Sequence, residues 1–148
     1  MDHEFFMQEA LRLARLAEQE GEVPVGAVVA CGPVVLGRGY NSPVSRKDPT
    51  AHAEMLALRE AAAALGNYRL GDATLYTTLE PCAMCAAAIS FARIRRLYFG
   101  AGDPKGGAVE NGVRYFTQTT CHHRPEVYGG IHESECAVLL KEFFQARR

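Results

Sequence analysis

The chain has 148 residues, 48% of them hydrophobic, and a formal net charge of −1. This predicts one domain over residues 1–148 with a single substantial core, and charge alone does not mark a nucleic-acid binder. An acidic start at Met1-Asp2-His3-Glu4, no apolar run near the ~18 residues of a membrane span, and an odd cysteine count point away from a signal peptide, a membrane-spanning helix and a disulfide scaffold, so the expected compartment is the cytoplasm.

In chain order, Phe6, Ala10, Leu13, Ala14 and Ala17 form a helical stripe over residues 4–20, which Gly21 ends. Val23 to Ala30 and Val34 to Tyr40 read as strands of a hairpin turned at Cys31-Gly32-Pro33. Asn41 to Pro49 is a polar loop. A helix follows over 51–64, capped by Thr50 or Asp48. Ala73 to Thr78 is a strand, Cys82 to Ala92 a helix with Pro81 at its first position, and Arg96 to Gly100 a further strand. Two strands separated by one helix predict a parallel crossover. Asp103 to Gly112 is a loop and Glu126 to Tyr128 a short strand. Glu133 to Ala146 closes the chain as a helix with Cys136, Leu139, Leu140 and Phe143 on its apolar face. The predicted architecture is a three-layer α/β/α sandwich around a mixed sheet.

Chemistry concentrates in His52-Ala53-Glu54 and, thirty residues on, Pro81-Cys82-Ala83-Met84-Cys85. His52, Cys82 and Cys85 are candidate zinc ligands, and three such ligands would leave a fourth tetrahedral position open, as catalytic zinc sites do. Zinc brings the pKa of bound water to roughly 7, and Glu54 stands close enough to the ligand His52 to move protons. Cys82 and Cys85 share one face of the first turn of their helix, where its dipole favours thiolates. A structural zinc site would draw a fourth ligand from Cys31, Cys121, His122 or His123, none of which stands in a second ligand pair. A redox Cys-x-x-Cys leaves His52 and Glu54 without a task. The pattern His-x-Glu…Pro-Cys-x-x-Cys resembles the signature of zinc-dependent nucleobase deaminases.

Charge is uneven along the chain. Residues 1–30 carry six acids against two bases, and residues 91–148 nine bases against six acids. Arg93, Arg95, Arg96, Arg147 and Arg148 are therefore candidates for a local basic surface.

Beyond the zinc motif, Glu22-Val23-Pro24-Val25-Gly26-Ala27-Val28, Asn41, Asp48 to Glu54, Asn67-Tyr68-Arg69-Leu70 and Thr78 to Cys82 resemble the bacterial tRNA-specific adenosine deaminases. So do Arg93-Ile94, Phe99-Gly100-Ala101, Asp103, Lys105, Glu135-Cys136, Leu139-Leu140 and Phe143-Phe144, and the likeness covers nearly the whole chain. The resemblance implies a cytidine-deaminase-like fold, a homodimer, one zinc ion per subunit, and conversion of adenosine to inosine at the wobble position of a tRNA anticodon stem-loop. It implies that His52, Cys82 and Cys85 hold zinc and that Glu54 is the proton shuttle for attack at C6 of a flipped-out adenine. It also implies that Asn41 contacts the base, that Val25 and Ala53 belong to the base pocket, and that Asp103, Lys105, Phe143 and Phe144 meet the RNA.

The chain departs from that family where substrate is read. Gly106-Gly107-Ala108-Val109-Glu110-Asn111-Gly112 replaces the usual Thr-Gly-Ala and following Ser-Leu. Cys121-His122-His123 stands where Leu-Asn-His is common, and Gln145-Ala146 follows the phenylalanine pair. Two other readings remain. One is a deaminase of a free base or nucleoside such as guanine, cytosine or cytidine, favoured if Tyr115, Phe116 or the last helix seals the site. The other is a zinc-stabilised interaction module without catalysis.

Overall fold

The structure, a computed structural model, describes residues 2–147; Arg148 of the expected basic surface lies outside them. Helix α1 (His3–Gln19) begins where Asp2 accepts a hydrogen bond from the Phe5 N–H at 2.9 Å, a side-chain cap on an otherwise free donor. Strands β1 (Gly26–Cys31) and β2 (Val34–Tyr40) form the hairpin, with an irregular register after Val29. A single turn, α2 (Pro43–Arg46), interrupts the expected polar loop and ends at Lys47 in the left-handed conformation. Then come α3 (Ala53–Leu65), β3 (Thr74–Leu79), α4 (Ala83–Phe91), β4 (Arg96–Ala101), a 3₁₀ turn at Tyr115–Thr117, β5 (Glu126–Gly129) and α5 (Glu133–Gln145).

The sheet order is β2-β1-β3-β4-β5, with β1 antiparallel to β2 and β3, and β3, β4 and β5 parallel. The period of two divides each strand between two cores. Ala27, Val29, Leu75, Leu97 and Phe99 face Ala57, Leu58 and Ala61 of α3 and Ala86 and Ile89 of α4. Val28, Ala30, Tyr76 and Tyr98 face Phe6, Met7, Ala10 and Leu11 of α1 and Cys136 of α5. This is the predicted three-layer α/β/α sandwich. His3 ties α1 to the sheet, its two ring nitrogens lying 2.6 Å from the Tyr76 hydroxyl and 3.0 Å from that of Tyr98.

Two glycines set how closely α3 lies on β2. A Cβ at Gly37 would stand 2.3 Å from the Ala57 carbonyl oxygen, and one at Gly39 would stand 2.4 Å from that of Ala53. Both neighbours are helix backbone, which cannot step aside. The absence of these two side chains lets the start of α3 rest directly on the strand. Because β2 and β3 both run antiparallel to β1, their carboxyl ends lie on the same side of the sheet. The segments leading into α3 and α4 leave from those ends, so the two helix starts meet there.

Candidate active site

His52 and Cys82 occupy equivalent places. Each is the N-cap residue of its helix, in extended conformation, His52 at φ −77° and ψ 152° and Cys82 at φ −74° and ψ 176°. This corrects the expectation of a first-turn His52 capped by Thr50 or Asp48. Asp48 instead accepts bonds from the Thr50 N–H at 2.9 Å and hydroxyl at 2.7 Å, closing its own turn. Likewise α4 begins at Ala83, one residue beyond Cys82, so Pro81 precedes the helix. Neither N-cap side chain bonds its helix as a cap.

The two side chains point at each other. His52 Nδ1 lies 3.5 Å from the Sγ of Cys82 and 3.5 Å from that of Cys85, and the three donor atoms all fall within 4.8 Å of one another. One nitrogen and two sulfurs bound tetrahedrally to zinc would be separated by roughly 3.6 Å (N to S) and 3.8 Å (S to S), so the trio fits one zinc ion. His52 and Cys82 are half-buried and Cys85 is buried. The pKa of Cys82 is lowered to about 4, chiefly by a hydrogen bond from the Cys85 thiol, with His52 adding to it against burial. That of His52 is raised, first by its hydrogen bond to Cys82. The Cys85 thiol is pushed up by donating to Cys82 and by burial. Metal binding calls for deprotonated thiolates and a neutral imidazole, so protons would leave this cluster as zinc enters.

Glu54, in the first turn of α3, is only 4% exposed. Burial raises its pKa to about 7, and the neighbouring Cys82 charge adds to the shift. A carboxyl group poised near neutrality can take and give protons. Ala53, between His52 and Glu54, is fully buried in the same core as Val25. Asn41 follows β2 and is held by its N–H to the Val25 carbonyl at 2.9 Å. Its side chain is half-buried and makes no hydrogen bond among the described residues.

Of the remaining predicted residues, Asp103, Lys105 and Phe144 gather at a cleft of about 840 Å³ that Val23, Leu79 and Arg147 also line. Phe144 is 50% exposed, whereas Phe143 is buried beneath the Arg147 guanidinium, which sits 3.5 Å from its ring centre. Lys105 is exposed, and Asp103 folds its carboxylate back onto the N–H groups of Lys105 and Gly106 at 3.1 and 3.0 Å. The expected single basic surface does not form among the described residues. Arg96 pairs with Glu126 at 3.6 Å at the start of β4, while Arg147 lines the cleft beyond the other end of that strand. Phe116 packs in the core and Cys121 is buried against Ser90. The His123 Nε2–H donates to the Ile94 carbonyl at 2.7 Å. Tyr115 packs against that same core and meets Phe116 edge to face.

Two buried carboxylates escaped the sequence. Glu22 accepts from the N–H groups of Val44 at 3.3 Å and Ser45 at 2.6 Å, fixing the turn after Asn41. Glu80, two residues before Cys82, is 2% exposed and receives hydrogen bonds from the loop that carries Asp103 and Lys105. Burial opposes its ionisation, but those donors outweigh burial and its pKa is lowered.

Residues 1–101 match the cytidine and deoxycytidylate deaminase zinc-binding region. A tRNA-specific adenosine deaminase of Agrobacterium fabrum is 58% identical over 143 residues, covering 97% of this chain and 94% of its own length. The chain belongs to the tRNA-specific adenosine deaminase family. A solved structure described under A-to-I editing by tRNA:A34 deaminases at the wobble position superposes with a TM-score of 0.92 at 58% identity, covering 93% of this chain and all of that one. The Bacillus subtilis guanine deaminase agrees less fully, with a TM-score of 0.66 at 40% identity over 69% of this chain and 66% of that one. Membership in this zinc-dependent family and the fit of the His52, Cys82 and Cys85 donors identify zinc as the cofactor.

Proposed function

We propose that this protein is a zinc-dependent hydrolytic deaminase, one domain over residues 1–148, that converts adenosine to inosine at the wobble position of a tRNA anticodon. The observation that carries the reading is the meeting of the His52, Cys82 and Cys85 donors beside the buried Glu54, in a chain 58% identical over 143 residues to a tRNA-specific adenosine deaminase. His52, Cys82 and Cys85 would hold the zinc, which would supply a Lewis acid able to bring the pKa of water to roughly 7. Glu54 accepts a proton from the attacking water, delivers one to the adenine ring, and assists departure of ammonia from C6. The balance is adenosine plus water to inosine plus ammonia.

Asn41 reads the edge of the flipped-out base, since an amide both donates and accepts. Val25 and Ala53 form the apolar wall beside it. Lys105 and Arg147 supply cationic contacts for the phosphates, and Phe144 offers an exposed ring for stacking on a neighbouring base. Phe143 serves by fixing α5 and Arg147, and Asp103 by shaping the loop that presents Lys105. The enzyme works in the cytoplasm as a homodimer. No described helix is long and apolar enough to cross a membrane, and an apolar face of α3 and α4 around Met55, Leu58, Ala62 and Phe91, with Phe91 62% exposed, supports pairing of two copies.

The free-base reading draws on the partial likeness to guanine deaminase. It calls for a closed pocket, and the half-buried His52 and Cys82 beside an adjoining cleft favour a polynucleotide. A non-catalytic zinc module has no use for a carboxylate as buried as Glu54. The test is turnover by zinc-loaded protein of an adenosine-bearing anticodon stem-loop against free adenosine, adenine, guanine, cytosine and cytidine. Inosine in the stem-loop alone supports the reading. Turnover of a free base with an inert stem-loop overturns it and leaves the zinc chemistry standing.

A further inference from the structure

Five hydrogen bonds converge on the carboxylate of Glu80. Its Oε1 accepts from the Asp103 N–H at 2.9 Å and the Asn111 side-chain amide at 2.7 Å. Its Oε2 accepts from the N–H groups of Val109, Glu110 and Asn111 at 3.0, 2.8 and 3.0 Å. That exhausts the roughly four lone-pair sites of a carboxylate. Among the described residues no cation pairs with it. Four of its five donors are backbone, so Glu80 recognises the path of the chain rather than any particular side chain.

The path it holds is that of residues 103–111. The Ala108 N–H adds a bond to the Pro81 carbonyl at 2.9 Å, and the Gly107 N–H closes onto the Asp103 carbonyl at 2.9 Å. Gly107 lies so near the grip that a Cβ there would stand 2.4 Å from the Glu80 carboxyl carbon and 2.6 Å from the Asp103 carbonyl oxygen. One buried side chain at the end of β3 thereby joins the backbone that starts the metal-ligand helix α4 to the loop displaying Lys105.

We propose that Glu80 is a positioning residue for substrate binding, fastening the 103–111 loop to the start of α4 so that the Lys105 contact stands at a fixed place relative to the zinc centre. This rests on the reading of that loop as an RNA contact. The dependence falls on KM, because Glu80 touches neither the zinc ligands' donor atoms nor Glu54, and a loop held loosely weakens binding without altering the chemical step.

Glu80→Gln tests this by turning one acceptor into a donor that faces the Asp103 N–H and the Asn111 amide. The variant is expected to keep one zinc per chain and a kcat within about threefold of wild type. Its KM for the stem-loop is expected to rise about tenfold, the worth of a lost charge-assisted hydrogen bond. Amide hydrogen exchange should accelerate over 103–111 and stay unchanged in α3 and α4. Glu80→Gln combined with Asn111→Asp returns a carboxylate to the other end of the 2.7 Å contact and should recover part of the KM. Asn111→Ala, which removes one bond of five, should shift KM the same way by about threefold and carries the test if the Gln variant fails to fold. Wild-type KM and exchange in Glu80→Gln overturn the proposal, as does loss of zinc or a fall in kcat at constant KM. A wild-type protein inert on the stem-loop sinks the functional reading instead, while the exchange rates still decide whether Glu80 holds the loop.

Discussion

At the scale of single residues, the zinc trio and Glu54 divide the labour between holding the metal and moving protons, and substitution separates the two. Glu54→Gln keeps the shape and removes the base. It should retain zinc by elemental analysis and lose about 10²- to 10⁴-fold in kcat, the usual worth of a positioned acid–base group; turnover near wild type would remove Glu54 from the mechanism. Cys82→Ala or Cys85→Ala should abolish stoichiometric zinc and lower the melting temperature, since metal binding is linked to folding. Full zinc occupancy in either would show a different ligand set. These four residues were legible in the sequence because the chemistry demands particular residue types at short spacings. Glu80 and Glu22 were not, because their partners are backbone N–H groups, which every residue type carries, some twenty to thirty positions away. Phe143 and Phe144 look alike as letters. Only the packing of α5 buries one beneath Arg147 and leaves the other exposed.

At the scale of elements, the helices and strands were readable from apolar periodicity, and the misplacements lie at their ends. Residues 51 and 52 were expected inside α3, but His52 is turned toward Cys82 and Cys85 and serves as the extended residue before the helix. The one-turn α2 and the 3₁₀ turn at Tyr115–Thr117 are too short to carry a period, so the first was read as polar loop and no element was assigned at the second. The close seat of α3 on β2 makes Gly39 sensitive. Gly39→Ala drives a methyl group into the Ala53 carbonyl and should cost about 1–3 kcal/mol of stability, read as a lower melting temperature together with weaker zinc affinity. An unchanged melt would mean that α3 has slack. Between α1 and β2, Glu9 bonds Arg12 at 2.6 Å and Arg38 at 2.7 Å, and the Arg12 hydrogen bond, with Arg38 adding to it, lowers its pKa to about 2. A depressed carboxyl pKa contributes stability above the unfolded value near 4.5 that is lost as pH falls through the folded value. The difference in stability between wild type and Glu9→Gln should therefore be steady from pH 7 to about 5 and shrink toward pH 2. A difference independent of pH would remove the ion pair from the balance.

At the scale of the whole molecule, the sheet order places two helix starts side by side and sets the cleft of Lys105, Phe144 and Arg147 next to them. Sequence reading anticipated the layers and the parallel crossover, since burial on both faces leaves its mark on the strands. It proposed a shared basic surface for Arg93 to Arg96 and Arg147 that the length of β4 keeps apart. With so few cations at the cleft, stem-loop affinity should fall with rising salt but with a shallow slope, one counterion-release increment per phosphate contacted. Affinity independent of salt would point to a small-molecule substrate. The most direct measurement is inosine content at the wobble position of an anticodon stem-loop after incubation with zinc-loaded wild type and, in parallel, zinc-loaded Glu54→Gln. Inosine formed by the wild type and absent with the variant, both carrying one zinc, is the predicted result. No inosine with the wild type, or equal inosine with both, would contradict the function assigned to this site.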